Sequence, residues 1–156
     1  MLPMMANEVD QTQDRLELRS RLSDMAQLPA WIEGLATRHG IPANVQFAID
    51  LCLEEALSNV IRHGYAGMDD RSVSVRFTMP GSGYFKFVIE DQAPRFNPLD
   101  SPEQPAMSPD EENRIGGQGI RFLRHFADAL EYEATPTGNR LSIGFSAAKP
   151  TRLPEA

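Results

Sequence analysis

One cysteine, Cys52, is all that the 156 residues contain. A single thiol excludes a disulfide framework and points to a reducing compartment. Among apolar neighbours it reads as a small core residue. The opening MLPMMANEVD has neither a basic n-region nor a long apolar run. It is neither a signal peptide nor a membrane span, so the expectation is a cytoplasmic protein with no membrane partner. Positive charge is also scarce: 15 Lys and Arg against 22 Asp and Glu leave a formal net charge of −7. That balance argues against direct contact with nucleic acid or an anionic lipid surface. Several signatures of chemistry are missing. Without GxxxxGK[ST], GxGxxG after a strand, HRD or DFG, the chain is neither a P-loop protein nor a eukaryotic-type kinase. There is no GxSxG, and the three histidines (39, 63, 125) are scattered, so a hydrolase is poorly supported. Without HExxH, zinc has no credible ligand set.

What is present is ordinary for one globular domain: 41% hydrophobic and 24% charged residues. Residues 1–12 read as a loose leader, 13–147 as a single domain and 148–156 as a tail. Leu16 and Leu18 alternate with polar residues in a short strand over about 14–20. Ser23 is a candidate N-cap for a helix to Arg38 that turns Met25, Leu28, Trp31, Ile32 and Leu35 inward, with Pro29 pushing its start later. Gly40 stops that helix and Pro42 opens the next, over about 42–64. The period then changes from 3.6 to 2. Val73, Val75, Phe77 and Met79, the turn PGSG (80–83), and Phe85, Phe87 and Ile89 make a hairpin ending at Asp91. Five prolines and the acidic run Asp110–Glu112 forbid regular structure throughout 92–115; a loop of that length is usually functional, often a lid. Gly116, Gly117 and Gly119 precede an amphipathic helix. Strands follow at Leu130–Glu133 and across Leu141, Ile143 and Phe145. The order β-α-α-β-β-loop-α-β-β predicts an α+β, two-layer α/β sandwich with helices on one face of a mixed, mostly antiparallel sheet.

The helix over 42–64 contains the puzzle. Val45, Ile49, Cys52, Ala56, Leu57 and Val60 form an apolar stripe, with Asn59 at its edge and Glu55 one turn away. A buried amide without partners costs about 1–3 kcal/mol, and a buried carboxylate more. One explanation is a metal–nucleotide site with Asn59 as oxygen ligand and Glu55 as base; the other is a half-exposed edge with solvated side chains. His63, near the stripe, reads as a packed, hydrogen-bonded histidine. Two further pieces could complete a nucleotide site. Asp91, at a strand end, could accept a hydrogen bond from an exocyclic amine. Gly116-Gly117-Gln118-Gly119, at a helix N-terminus, lets backbone amides approach an anion.

Three segments then carry a resemblance: EALSNVIRHGY (55–65), EDQAPRFNP (90–98) and GGQGIRFLRHFADALEY (116–132). They resemble the N-box, G1 box and G2 box of the GHKL ATPase/kinase superfamily, in its branch of RsbW-like and SpoIIAB-like anti-sigma factors; GNRLSI (138–143) is similar to that branch too. The likeness spans about residues 14–147 and implies the Bergerat ATP-binding fold with a lid at 99–115. It implies ATP and Mg²⁺ as cofactors. By matched position Glu55 is the catalytic base, Asn59 the Mg²⁺ ligand and Asp91 the reader of the adenine amine, with Ala93, Gly117, Gln118, Gly119 and Ile120 around the nucleotide. His63 and Arg62 flank the site, and Arg114 is a candidate γ-phosphate contact because a guanidinium suits phosphate geometry. The wider superfamily has DxGxG where this chain has Asp91-Gln92-Ala93-Pro94-Arg95. Ala93 keeps the adenine approach open if its φ is negative. The resemblance implies a serine/threonine-protein kinase acting as an anti-sigma factor in a partner-switching system that regulates transcription. Its partners would be a STAS-domain anti-anti-sigma substrate and a sigma factor, and it would be a homodimer using exposed apolar residues of the first strand and helix. The alternative is an ATP-binding partner switch without catalysis. A sensor histidine kinase fragment is weaker, since no phospho-acceptor dimerisation helix precedes the domain.

Overall fold

The computed structural model describes residues 14–100 and 119–147. The expected leader, the tail and the lid from residue 101 onward lie outside the described residues. The elements are β1 (Arg15–Arg19), a 3₁₀ turn (Leu22–Gln27), α1 (Leu28–His39), α2 (Ala43–Asn59), a π-helical turn (Val60–Gly64), β2 (Ser72–Gly81), β3 (Tyr84–Asp91), a 3₁₀ turn (Pro98–Asp100), α3 (Gly119–Phe126), β4 (Ala129–Ala134) and β5 (Asn139–Ser146).

Two helix boundaries differ from expectation for physical reasons. Ser23 caps no α-helix; it lies in the 3₁₀ turn, and α1 begins at Leu28 with Gln27 at its cap. Pro29 has no N–H to give, and only the first turn of an α-helix can accept that. The other end is as expected: Gly40 takes the left-handed conformation (φ 69°) and donates its N–H to the Ala36 carbonyl at 2.9 Å. Pro42, extended, caps α2. The helix expected to run to residue 64 leaves the α register after Asn59, and the Tyr65 N–H reaches back five residues to the Val60 carbonyl at 2.8 Å.

The sheet has the order β1-β2-β3-β5-β4. The α+β two-layer sandwich is as expected, but all four described ladders are antiparallel, so these strands lack the parallel pairing that a mixed sheet would contain. Alternation puts Val73, Val75 and Phe77 of β2, Phe85, Phe87 and Ile89 of β3, and Leu141, Ile143 and Phe145 of β5 on the helix side, all buried. Phe87 sits at the centre, 5.2 Å from Phe77, 6.1 Å from Phe145 and 6.1 Å edge-on from Trp31. Each such side chain contributes about 1.5–3 kcal/mol by leaving water. Against them α2 lays Val45, Ala48, Ile49, Cys52, Leu53, Ala56 and Leu57. Burial pushes the Cys52 thiol up to about 12, so it is an inert core residue as expected. Leu18, Leu28, Ile32 and Leu35 join the same core, with Leu16, Met25 and Trp31 partly buried against it and Leu22 exposed. No described helix is long and apolar enough to cross a membrane.

The placement of α3 matters most for the site. Cys52 Sγ lies 3.6 Å from the Phe122 carbonyl, and the Phe47 and Phe126 rings meet edge-on at 6.2 Å. Later residues of α3 thus face earlier residues of α2. The two helices run antiparallel, and the first turn of α3 comes to the level of Glu55 and Ala56.

Candidate functional site

Strand alternation explains why an acid is buried here. Asp91 continues the row Phe85–Phe87–Ile89 on the helix side, and Asn139 begins the row Asn139–Leu141–Ile143–Phe145 beside it. The register pairs Asp91 directly with Asn139. Both are nearly buried, at 8% and 6% exposure. Asp91 Oδ1 accepts hydrogen bonds from Asn139 Nδ2 at 2.9 Å and from the Ala93 N–H at 2.9 Å. Burial holds its carboxyl above the usual carboxylate range, and these two donors partly offset that.

The loop after Asp91 is pinned from two sides. Asn139 Nδ2 also donates to the carbonyls of Ala93 (3.3 Å) and Pro94 (3.2 Å), while its Oδ1 accepts from the Phe96 N–H (2.9 Å) and the Tyr132 hydroxyl (2.5 Å). From the other side the buried Tyr65 hydroxyl accepts the Gln92 N–H at 2.7 Å and donates to the Ser72 carbonyl at 2.8 Å. The π turn brings Tyr65 to that place. Gly138 permits the approach of β5: a Cβ there would fall 1.9 Å from the Asp91 carbonyl oxygen. Ala93 stands in for the family glycine without strain, because the non-glycine residue with positive φ among the described residues is Ala66. Its methyl is accommodated by Gly64, where a Cβ would come within 3.2 Å of it. Arg95, at the second glycine position, is exposed.

Asp91 and Asn139 open onto a cleft holding about 440 Å³ of space, open solvent included. Ala56, Val60, Ile89, Leu123 and Leu141 give it apolar walls, and Asn59 lines it from α2. Asn59 is 5% exposed, and its amide has no hydrogen-bond partner among the described residues. A buried amide that faces a cleft can offer its oxygen and its N–H to a ligand there. Among the described residues no group of three or more His, Cys, Asp or Glu could hold a metal; a metal at Asn59 would need further oxygens from a nucleotide. Glu55, one turn earlier, is half-buried and stands outside the lining of that cleft. Burial raises its carboxyl above the usual range, the Glu54 charge adds to this, and Arg62 opposes it.

The structure thus brings together Asn59, Asp91 and Ala93 and sets the start of α3, with Gly119 and Ile120 in its first turn, beside α2. Arg114, Gly117 and Gln118 lie outside the described residues. His63 is a correction. At about 100° per residue it would align with Val45 and Ala56, but the π turn shifts the register, so Ile61 faces in and His63 is exposed rather than packed. The residues missed were Asn139, Tyr132 and Tyr65. Asn139 did leave a signal, since it opens the alternation N-x-L-x-I-x-F on its apolar side. Its pairing with Asp91 required the register.

An apolar cleft that a buried carboxylate and a buried amide both face, on the helix side of the sheet, places the chain in the α/β sandwich class. Residues 18–145 match the model of the histidine kinase-like ATPase domain, and the chain belongs to that family. It is similar to the serine/threonine-protein kinase BtrW of Bordetella bronchiseptica, 25% identical over 130 residues that cover 83% of this chain and 91% of that protein. It is also similar to the anti-sigma F factor of Priestia megaterium, 26% identical over 87 residues, or 56% of this chain and 59% of that factor. Among solved structures, the RsbU and RsbW domains of a Mycobacterium tuberculosis protein superpose with a TM-score of 0.59 at 13% identity, covering 88% of this chain and 34% of that one. At that identity the likeness concerns the fold alone.

Proposed function

We propose that this protein is an ATP-dependent serine/threonine-protein kinase that acts as an anti-sigma factor. It would phosphorylate a STAS-domain anti-anti-sigma protein and hold a sigma factor in a partner-switching system, as a cytoplasmic homodimer. The observation that carries the reading is that the buried Asn59 amide and the buried Asp91 carboxylate line the same cleft. The names of the two relatives support the finer assignment. ATP with Mg²⁺, when bound, supplies the transferable phosphoryl group. Asp91 accepts a hydrogen bond from the exocyclic amine of the base. Asn59 offers its amide oxygen to the metal. Glu55 takes the proton from the partner's hydroxyl, a role suited by a carboxylate held above its usual range. Gly117, Gln118, Gly119, Ile120 and Arg114 are assigned to the phosphates, with 99–115 as the lid segment and His63 at the rim.

The test is intact mass of a candidate STAS-domain protein after incubation with Mg²⁺-ATP, with Glu55→Ala alongside. An added phosphate that disappears in the variant is expected; equal phosphorylation by Glu55→Ala would remove Glu55 from this role. The position of Glu55 outside the described cleft lining favours a second reading, a nucleotide-dependent binding module without catalysis. It is distinguished by a stable complex that responds to ATP and to Asp91→Asn while no phosphate is transferred.

A further inference from the structure

The hydrogen bonds of Asn139 determine which way its amide faces. Nδ2 meets a carboxylate oxygen and two carbonyls, all acceptors, while Oδ1 receives the Phe96 N–H, an obligate donor, and the Tyr132 hydroxyl. A flipped amide would set oxygen against oxygen three times. β5 therefore presents Asp91 with a donor. Ala93 N–H lands on the same Oδ1, so both hydrogen bonds from described residues occupy one oxygen and leave Oδ2 for a ligand in the cleft.

Resting on the ATP reading above, we propose that Asn139, oriented by Tyr132, is the positioning residue that keeps Asp91 an ionised anchor with one free acceptor. The cleft thereby selects a purine that presents an amine to Asp91 over one that presents a carbonyl. A proton on Asp91 would turn the acceptor into a donor and reverse that preference. Burial drives Asp91 toward protonation, and Asn139 is first among the groups opposing it. The neighbouring titratable groups are otherwise engaged. The Tyr65 phenol is held by Ser72 and Gln92, and on the opposite face of the sheet Glu90 pairs with Arg140 at 2.6 Å. Asn139 also binds Ala93, Pro94 and Phe96, ordering a loop that lacks both family glycines.

The test compares dissociation constants of ATP and GTP, with Mg²⁺, for the full chain and for Asn139→Ala, Tyr132→Phe and Asn139→Asp, from about pH 5 to pH 9. Asn139→Ala should lose about tenfold or more in ATP affinity and narrow the ATP/GTP ratio, because a hydrogen bond to a charged group is removed. Tyr132→Phe, which keeps the ring packing, should move the same way by about two- to fivefold. In Asn139→Asp two carboxylates must share one proton, so ATP affinity should rise as pH falls from alkaline values and drop again below, a profile the parent does not have. A merely structural role would lower affinity without changing the base preference or the pH profile. The proposal is overturned if the parent prefers ATP while folded Asn139→Ala and Tyr132→Phe keep the parent's ratio, or if Asn139→Asp follows the parent profile. If the parent binds neither nucleotide, the ATP reading itself is wrong and this inference falls with it.

Discussion

The two ends of the cleft are built in opposite ways. At the Asp91 end the groups are braced by residues far away in sequence: Asn139 from 48 positions on, Tyr65 from 27 positions before Gln92, Phe96 held from 43 positions away. At the other end Asn59 lines the cleft from α2, with Glu55 one turn earlier and outside the lining, and neither side chain hydrogen-bonds a described residue. On the proposed function the Asp91 end is the recognition end, which must hold its acceptor still before the ligand arrives, or the ligand bears the ordering cost. The Glu55 side would then be the reacting end, free to be completed by the nucleotide and the partner, since catalytic hydrogen bonds often tighten only in the complex.

Substitutions should separate the two ends. Glu55→Gln is expected to cost about 10²–10⁴-fold in phosphoryl transfer with ATP affinity nearly unchanged, read by single-turnover rates beside a binding titration. Equal losses in both would mean that the ends are one unit. Asp91→Asn should do the reverse. ATP affinity falls about ten- to hundredfold, while the melting temperature without nucleotide holds or rises, since a neutral amide is easier to bury than a carboxylate. Gly138→Ala forces a methyl against the Asp91 carbonyl and should cost about 1–3 kcal/mol, at roughly 2–4 °C in melting temperature per kcal/mol. An unchanged melting curve would show that β5 can shift away without loss.

The smallest effect is on pH. Asp91 has its folded value raised, so it binds its proton more tightly folded than unfolded. Its contribution to stability is present below the ordinary carboxylate range and fades as pH rises through the raised value. ATP affinity follows the opposite slope, because the base needs the ionised acceptor, and it should decline on acidification before an ordinary carboxylate would protonate. Melting and binding curves across acidic pH check this; parallel slopes would contradict it.

Local patterns were legible where one element decides its own fate. The alternations through Phe77, Phe87 and Ile143 give the strands, Gly40 the helix stop, and the motif order around Asn59 and Asp91 the family. They failed where a local preference met a tertiary demand. Ser23 is a good cap, yet Pro29 sets the helix start. His63 follows the stripe at 3.6 residues per turn, yet the π turn carries Tyr65 to Gln92 and turns His63 out. By itself the sequence determined the order of elements, their buried faces and the residue types at the two ends, because periodicity and backbone sterics act within a few residues. Only the tertiary structure decided that Asp91 faces Asn139, that Tyr132 orients that amide, and that α3 runs back along α2. Those depend on the register between strands and on the packing of helices distant in the chain, where no local rule assigns a partner.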